Sequence, residues 1–285
     1  MFLSMKKQYK GTFTGERALY DIHDAYIFDS VFEDGESPLK ECSSLEIRDT
    51  EFRWKYPLWY GSDIKCYRTT FLETARSGIW YTKNISIFDS EIHAPKLFRR
   101  CERVKLVNCH LDNALETLWG SKDIELINIK AKGDYLCLNT SNVKVEALEL
   151  DGNYAFDGAK DIEINNSSLL SKDSFWNTEN VVVRNSKIIG EYLGWNSKNL
   201  TFINCDISSH QGFCYIKGLK LINCRISDTD LCFEFCEEVD AEVTTYVDSI
   251  KNPLSGRIKV KDVGTLVLDE RYVDRNKIKV YIDKK

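Results

Sequence analysis

The sequence predicts an all-β protein, a parallel β-helix (solenoid) of about 12–13 coils with 19–21 residues per coil. Three observations lead there. An eight-residue phrase, apolar-any-apolar-any-Asn-small-any-apolar, recurs at a nearly constant step. Its opening triplet alternates as a strand does with one face on a core. Its Asn marks a turn, because Asn tolerates the left-handed conformation better than other non-glycine residues.

The clearest copies are 162–169, 181–188, 200–207 and 219–226, each 19 residues after the last. Earlier copies start at Ala25, Leu45, Ile64, Ile85, Val104, Ile124 and Val143, and degenerate ones at Val239 and Ile258. A fixed period near 20 residues marks stacked repeats. Asn108, Asn128, Asn166, Asn185, Asn204 and Asn223 hold the turn slot, with Asp29, Asp49 and Asp89 in earlier copies. Stacked coils would align these side chains into a ladder along the axis.

A second inward anchor precedes each copy by six to eight residues, as at Leu39, Ile79, Leu118, Phe175 and Phe213. Each coil should then carry three short strands: at the anchor, at the alternating triplet and after the Asn. A leucine-rich repeat is the competing reading and is disfavoured, since its Asn falls three places after the last strand hydrophobe rather than two. The expected organisation is one domain over 1–285. Residues 1–24 form a first coil or cap, 25–252 the regular coils, and 253–285 a degenerate last coil and C-terminal cap.

Composition narrows the function classes. The net charge of −5 argues against a nucleic-acid binder, which would show a basic stripe. No apolar run of about 18 residues and no secretion-signal pattern is present, so no membrane span and a cytoplasmic location are expected. The ten cysteines then read as reduced thiols, with Cys109, Cys205 and Cys224 filling the small slot of the phrase. There is no CxxC pair, and the four histidines are scattered, so no metal and no cofactor is expected. Nucleotide-loop and H-E-x-x-H motifs are absent.

Several longer strings carry a resemblance: FTGERALY (13–20), DGESPLKE (34–41), WKYPLWY (54–60), SGIWY (77–81), APKLFRR (94–100), ETLW (116–119), SKDSFWN (171–177) and GEYLGWN (190–196). Together with the Asn-bearing coils they resemble an uncharacterised bacterial family, a domain of unknown function, among the pectin-lyase-like single-stranded right-handed β-helix proteins. The resemblance implies right-handed coils over essentially the whole chain. It transfers no activity, although enzymes of the wider superfamily cleave acidic polysaccharides.

The candidate chemistry gathers near the anchor. Glu116, Asp134, Asn153, Asp173, Glu191 and Gln211 stand two places before it. Trp59, Trp80, Phe98, Trp119, Phe156 and Trp176 follow it, with Trp195 displaced by Gly194. An acidic row beside an aromatic row suits a sugar track, where rings stack on sugars and carboxylates accept from hydroxyls. Asp134, Asp173 and Glu191 are the candidate acid, base or cation-holding residues. Glu116, Trp119, Lys172, Trp176, Asn177, Trp195 and Asn196 are the candidate substrate contacts. An enzyme on this face would be a polysaccharide lyase or glycoside hydrolase, with carboxylates in adjacent coils about 5 Å apart. The bland alternative is that the acids cap turns and pair with basic neighbours while the aromatics form stacks. The protein would then be a scaffold for a protein partner or for a second copy of itself.

Overall fold

The computed structural model describes residues 7–283. The chain is an all-β, right-handed parallel β-helix. The one helical element among the described residues is a single 3-10 turn, Glu73–Ala75. None of their helices is long and apolar enough to cross a membrane. The chain divides into two compact units at Val143 and Lys144.

In the first unit the rungs are Lys7–Phe13, His23–Phe32, Ser43–Phe52, Ser62–Tyr67, Lys83–Phe88, Glu102–Leu111 and Lys122–Lys132. Each pairs in parallel with the next, as Val104 with Ile124 and Leu106 with Leu126. Inward positions of neighbouring rungs therefore coincide, and like side chains stack. Phe13, Phe32, Phe52 and Phe71 form one such column, with ring centroids 4.9–5.1 Å apart.

In the second unit the rungs are Lys160–Asn165, Glu179–Arg184, Lys198–Ile203, Lys217–Ser227, Val239–Lys251, Gly256–Val267 and Ile278–Ile282. The four clearest copies of the phrase pair in unbroken register: Ile162 with Val181, Val181 with Leu200, and Leu200 with Leu219. Strands Lys7–Phe13 and Ile278–Ile282 each add a rung beyond the thirteen copies of the phrase. Neither carries the Asn slot, and both fall in the stretches read from sequence as a terminal coil or cap.

The phrase works through one backbone device. Asp29, Asp49, Asp89, Asn108, Asn128, Asn166, Asn185, Asn204 and Asn223 all adopt left-handed φ between 43° and 53°. The kink turns two successive side chains outward. The triplet before it and the apolar residue after it then face the same core. In His23–Phe32, Ala25, Ile27, Ser30 and Phe32 are buried while Phe28 and Asp29 are not.

The anchor leg departs from expectation. Ile79–Trp80 pairs with Phe98–Arg99 there, and Tyr192 and Leu193 pair with Gln211 and Gly212 at the ends of longer strands, but most of the leg is turn. Left-handed residues explain it: Leu118, Phe156, Phe175 and Phe213 have φ between 62° and 70°. Inter-coil bonding survives, as in Glu116 N to Asp134 O at 2.9 Å and Asn177 N to Trp195 O at 2.9 Å. Small residues three or four places past the anchor reinforce this leg. Ser197 Oγ donates to Phe175 O at 2.6 Å, and Cys101 Sγ to Ile79 O at 3.0 Å.

All ten cysteines are free and buried. Cys205 Sγ and Cys224 Sγ donate to carbonyls of Val183 (3.5 Å) and Phe202 (3.3 Å) in the preceding coil. The thiols act as small stacking residues that also satisfy a backbone acceptor. Burial pushes Cys42, Cys101 and Cys109 up to about 11.

Candidate functional site

In the first unit, Glu116 is half-buried and closed off by two cations, Lys96 at 3.1 Å and Arg99 at 3.2 Å. Its backbone N–H binds the carbonyl of Asp134, which places Asp134 in the neighbouring coil. Trp119 lines a surface cavity of about 510 Å³. The Arg99 guanidinium lies 4.2 Å from the Trp119 ring centroid and 4.6 Å from that of Trp80. One cation is thus held between two indoles, an arrangement worth about 0.5–2 kcal/mol per ring according to desolvation.

In the second unit, Lys172, Asp173, Trp176 and Asn177 on one coil adjoin Glu191, Trp195 and Asn196 on the next. Glu191 N and Tyr192 N both donate to Lys172 O, at 2.6 and 3.1 Å. Gly190 permits this approach, because a Cβ there would fall 2.5 Å from Ser171 O. Exposed Glu191 pairs with Lys172 at 3.2 Å. Asn153 Oδ1 accepts from the Lys172 backbone N–H at 3.2 Å.

Asp173 differs from the other acids. It is only 2% exposed, and its Oδ1 is buried without a hydrogen-bond partner. Burial raises its pKa, opposed by Lys172 and reinforced by Glu191. A buried carboxylate oxygen without a donor is costly, and protonation removes much of that cost.

The aromatics are engaged with one another. Trp176 Nε1 donates to Tyr192 O at 2.7 Å, and Trp80 Nε1 to Lys96 O at 3.0 Å. Trp176 meets Trp195 at 6.0 Å and Tyr154 edge-on at 5.9 Å, while Trp195 meets Tyr215 at 4.9 Å. All three candidate tryptophans are half-buried. Asn177 and Asn196, expected as substrate contacts, form a further ladder: Asn196 donates to Asn177 at 3.0 Å, and Asn177 to Asp157 at 2.9 Å. Another runs from Asn199 through Asn180 to Asp161, at 3.0 and 2.8 Å. Each ends on a carboxylate that only accepts. A scan of the sequence for Asn or Asp recurring at steps of 19–20 residues would have found both.

Solved structures similar to this chain include PfbA, a surface adhesin of Streptococcus pneumoniae (8% identity, 98% of this chain and 84% of that chain, TM-score 0.41). The A-module of the Azotobacter vinelandii mannuronan C-5 epimerase AlgE6 is another (9%, 96% and 87%, 0.43). A third is the catalytic domain of a GH87 α-1,3-glucanase in complex with tetrasaccharides (11%, 97% and 62%, 0.39). At such identities the likeness concerns the fold. No curated protein matches the sequence. The match over residues 6–281 places the chain in DUF3737, a family described as protein of unknown function.

Proposed function

We propose that the second unit binds and modifies a carbohydrate on the leg formed by Lys172–Asn177 and 190–196. The observation that carries the reading is Asp173, a buried carboxyl with an unpartnered oxygen and a raised pKa, set beside half-exposed indoles. A neutral carboxyl can donate a hydrogen bond, or a proton, to a sugar oxygen. Exposed Glu191 supplies the second carboxylate and Lys172 sets its position. Trp176 and Trp195 offer ring edges and partial faces, with Asn177 and Asn196 at the rim. In the first unit Asp134, Glu116 and Trp119 hold the corresponding sequence positions, but Glu116 is neutralised by Lys96 and Arg99, so the second unit carries the reading.

The test is a glycan-array and saturation-transfer NMR comparison of the full chain with Asp173→Asn and Trp176→Ala. The reading expects a saccharide signal that both variants weaken at least tenfold. Equal signals from all three proteins would overturn it.

A second reading, a non-catalytic scaffold for a protein partner or a second copy, is favoured by one observation. The indole rings pack on Tyr154, Tyr215 and each other, which leaves little open face for a sugar. It predicts no saccharide signal, together with a change in sedimentation when Trp195 or exposed Tyr215 is replaced.

A further inference from the structure

The outward column that follows the anchor in the first unit runs Tyr60, Tyr81, Arg100, Gly120 and Asn139. Backbone bonds fix the sequence of neighbours: Tyr60 N to Trp80 O, Tyr81 N to Arg99 O, Arg100 N to Trp119 O, and Gly120 N to Leu138 O. All five residues are left-handed, with φ between 52° and 63°. The column is filled at its start, where Tyr60 and Tyr81 stack at 5.0 Å. At Gly120 it has no side chain. The missing rung lies in a cavity of about 510 Å³ whose lining includes Arg100, Asn139, Trp119, Lys122 and Glu102.

The walls are cationic in a chain of net charge −5. Glu102 is already satisfied by Lys122 at 2.7 Å, with Lys83 and Arg103 each at 3.8 Å. Glu116 is satisfied by Lys96 and Arg99. Arg100, also in the wall, has no ion-pair partner among the described residues, and Arg99 Nε is buried without an acceptor. Asp123 adds a third carboxylate near Lys122 and accepts from Asn142 at 2.7 Å. Within the lining itself three cations, Arg99, Arg100 and Lys122, face one carboxylate, Glu102.

We propose that this notch binds a small phosphate ester, its dianion held by the Arg100 fork and the Lys122 ammonium. A guanidinium grips two oxygens of one phosphate, and a surplus of positive charge suits a dianion better than a single carboxylate. The volume exceeds what phosphate alone fills and lies in the range of small-molecule sites, so the esterified group lies along Trp119 and Asn139. The site is separate from Asp173 and does not rest on the carbohydrate reading.

The experiment is an NMR and calorimetric titration of the full chain with inorganic phosphate, glucose 6-phosphate and galacturonate. Gly120→Asn fills the notch with the residue that its neighbour Asn139 already carries at left-handed φ, and Arg100→Gln removes the fork. The proposal expects saturable phosphate binding and tighter glucose 6-phosphate binding. Both should weaken at least tenfold in either variant and be unchanged in Asp173→Asn. Wild-type affinity in Arg100→Gln, no saturable binding, or preference for galacturonate over both phosphates would each overturn it.

Discussion

Asn204 Nδ2 donates to Asn185 Oδ1 at 3.2 Å, across the 19 residues of one coil. Asn223 continues the line, donating to Asn204 at 2.9 Å, and all three residues hold φ between 50° and 52°. The amide thus serves twice, as a tolerated left-handed residue and as a link to the coils on either side.

Asn204→Ala should therefore cost about 2 kcal/mol. Roughly 1–2 comes from placing a Cβ residue in the left-handed region and about 0.5–1 from the exposed amide bonds. Asn204→Gly should cost less, because only the bonds are lost. Urea unfolding of both variants checks this. Equal losses would remove the conformational part of the account.

Arg99 tests the stacked cation. Arg99→Lys keeps the charge but loses the planar contact with Trp80 and Trp119, and should destabilise by about 1 kcal/mol. Arg99→Ala also strips the half-buried Glu116 of one of its two partners, and about 2–3 kcal/mol is expected. Thermal melts followed by tryptophan fluorescence give the order. A lysine variant as stable as wild type would show that charge alone matters there.

Asp173 links stability to pH. Its folded pKa is raised, chiefly by burial, so the folded state holds the proton more tightly than the unfolded state. The resulting stabilisation is present in full below the unfolded value near 3.9 and is lost as pH rises through the folded pKa. At pH 7, Asp173→Asn should raise stability by about 1 kcal/mol or more, and the gain should shrink below about pH 4. Denaturation midpoints at both pH values measure it. A destabilised variant at pH 7 would mean that the ionised carboxylate has a partner that the asparagine loses. A stabilised one also ensures that lost sugar binding is not lost folding.

The thiols give a count. The native protein at pH 8 should resist a thiol reagent, because all ten cysteines are buried and burial holds Cys42, Cys101 and Cys109 near 11. After denaturation without reductant, ten should react. Eight or fewer would reveal a disulfide.

The coil period and the Asn turns were legible because each coil encodes them within itself. An alternating triplet and a residue able to turn left-handed are local demands, and every coil repeats them. The same holds for the small slot that Ser167, Ser186, Cys205 and Cys224 share. The anchor leg was misread as strand because Leu118, Phe175 and Phe213 are ordinary hydrophobes in sequence. Stacking, not intrinsic preference, holds them left-handed.

The candidate site was legible as a row but not as a set of roles. Glu116, Asp173 and Glu191 each stand two places before an anchor in sequence, yet Glu116 meets two cations, Glu191 one, and Asp173 carries an oxygen that meets none. These differences arise from residues about one coil away in the chain. The sequence by itself determined the repeat, the inward columns and the left-handed turns, since these depend on spacing and residue type within about twenty residues. Only the tertiary structure decided which charge found a partner, which indole faces were covered, and that Gly120 opens between Arg100 and Asn139. Those outcomes depend on side-chain reach between coils, which no period specifies.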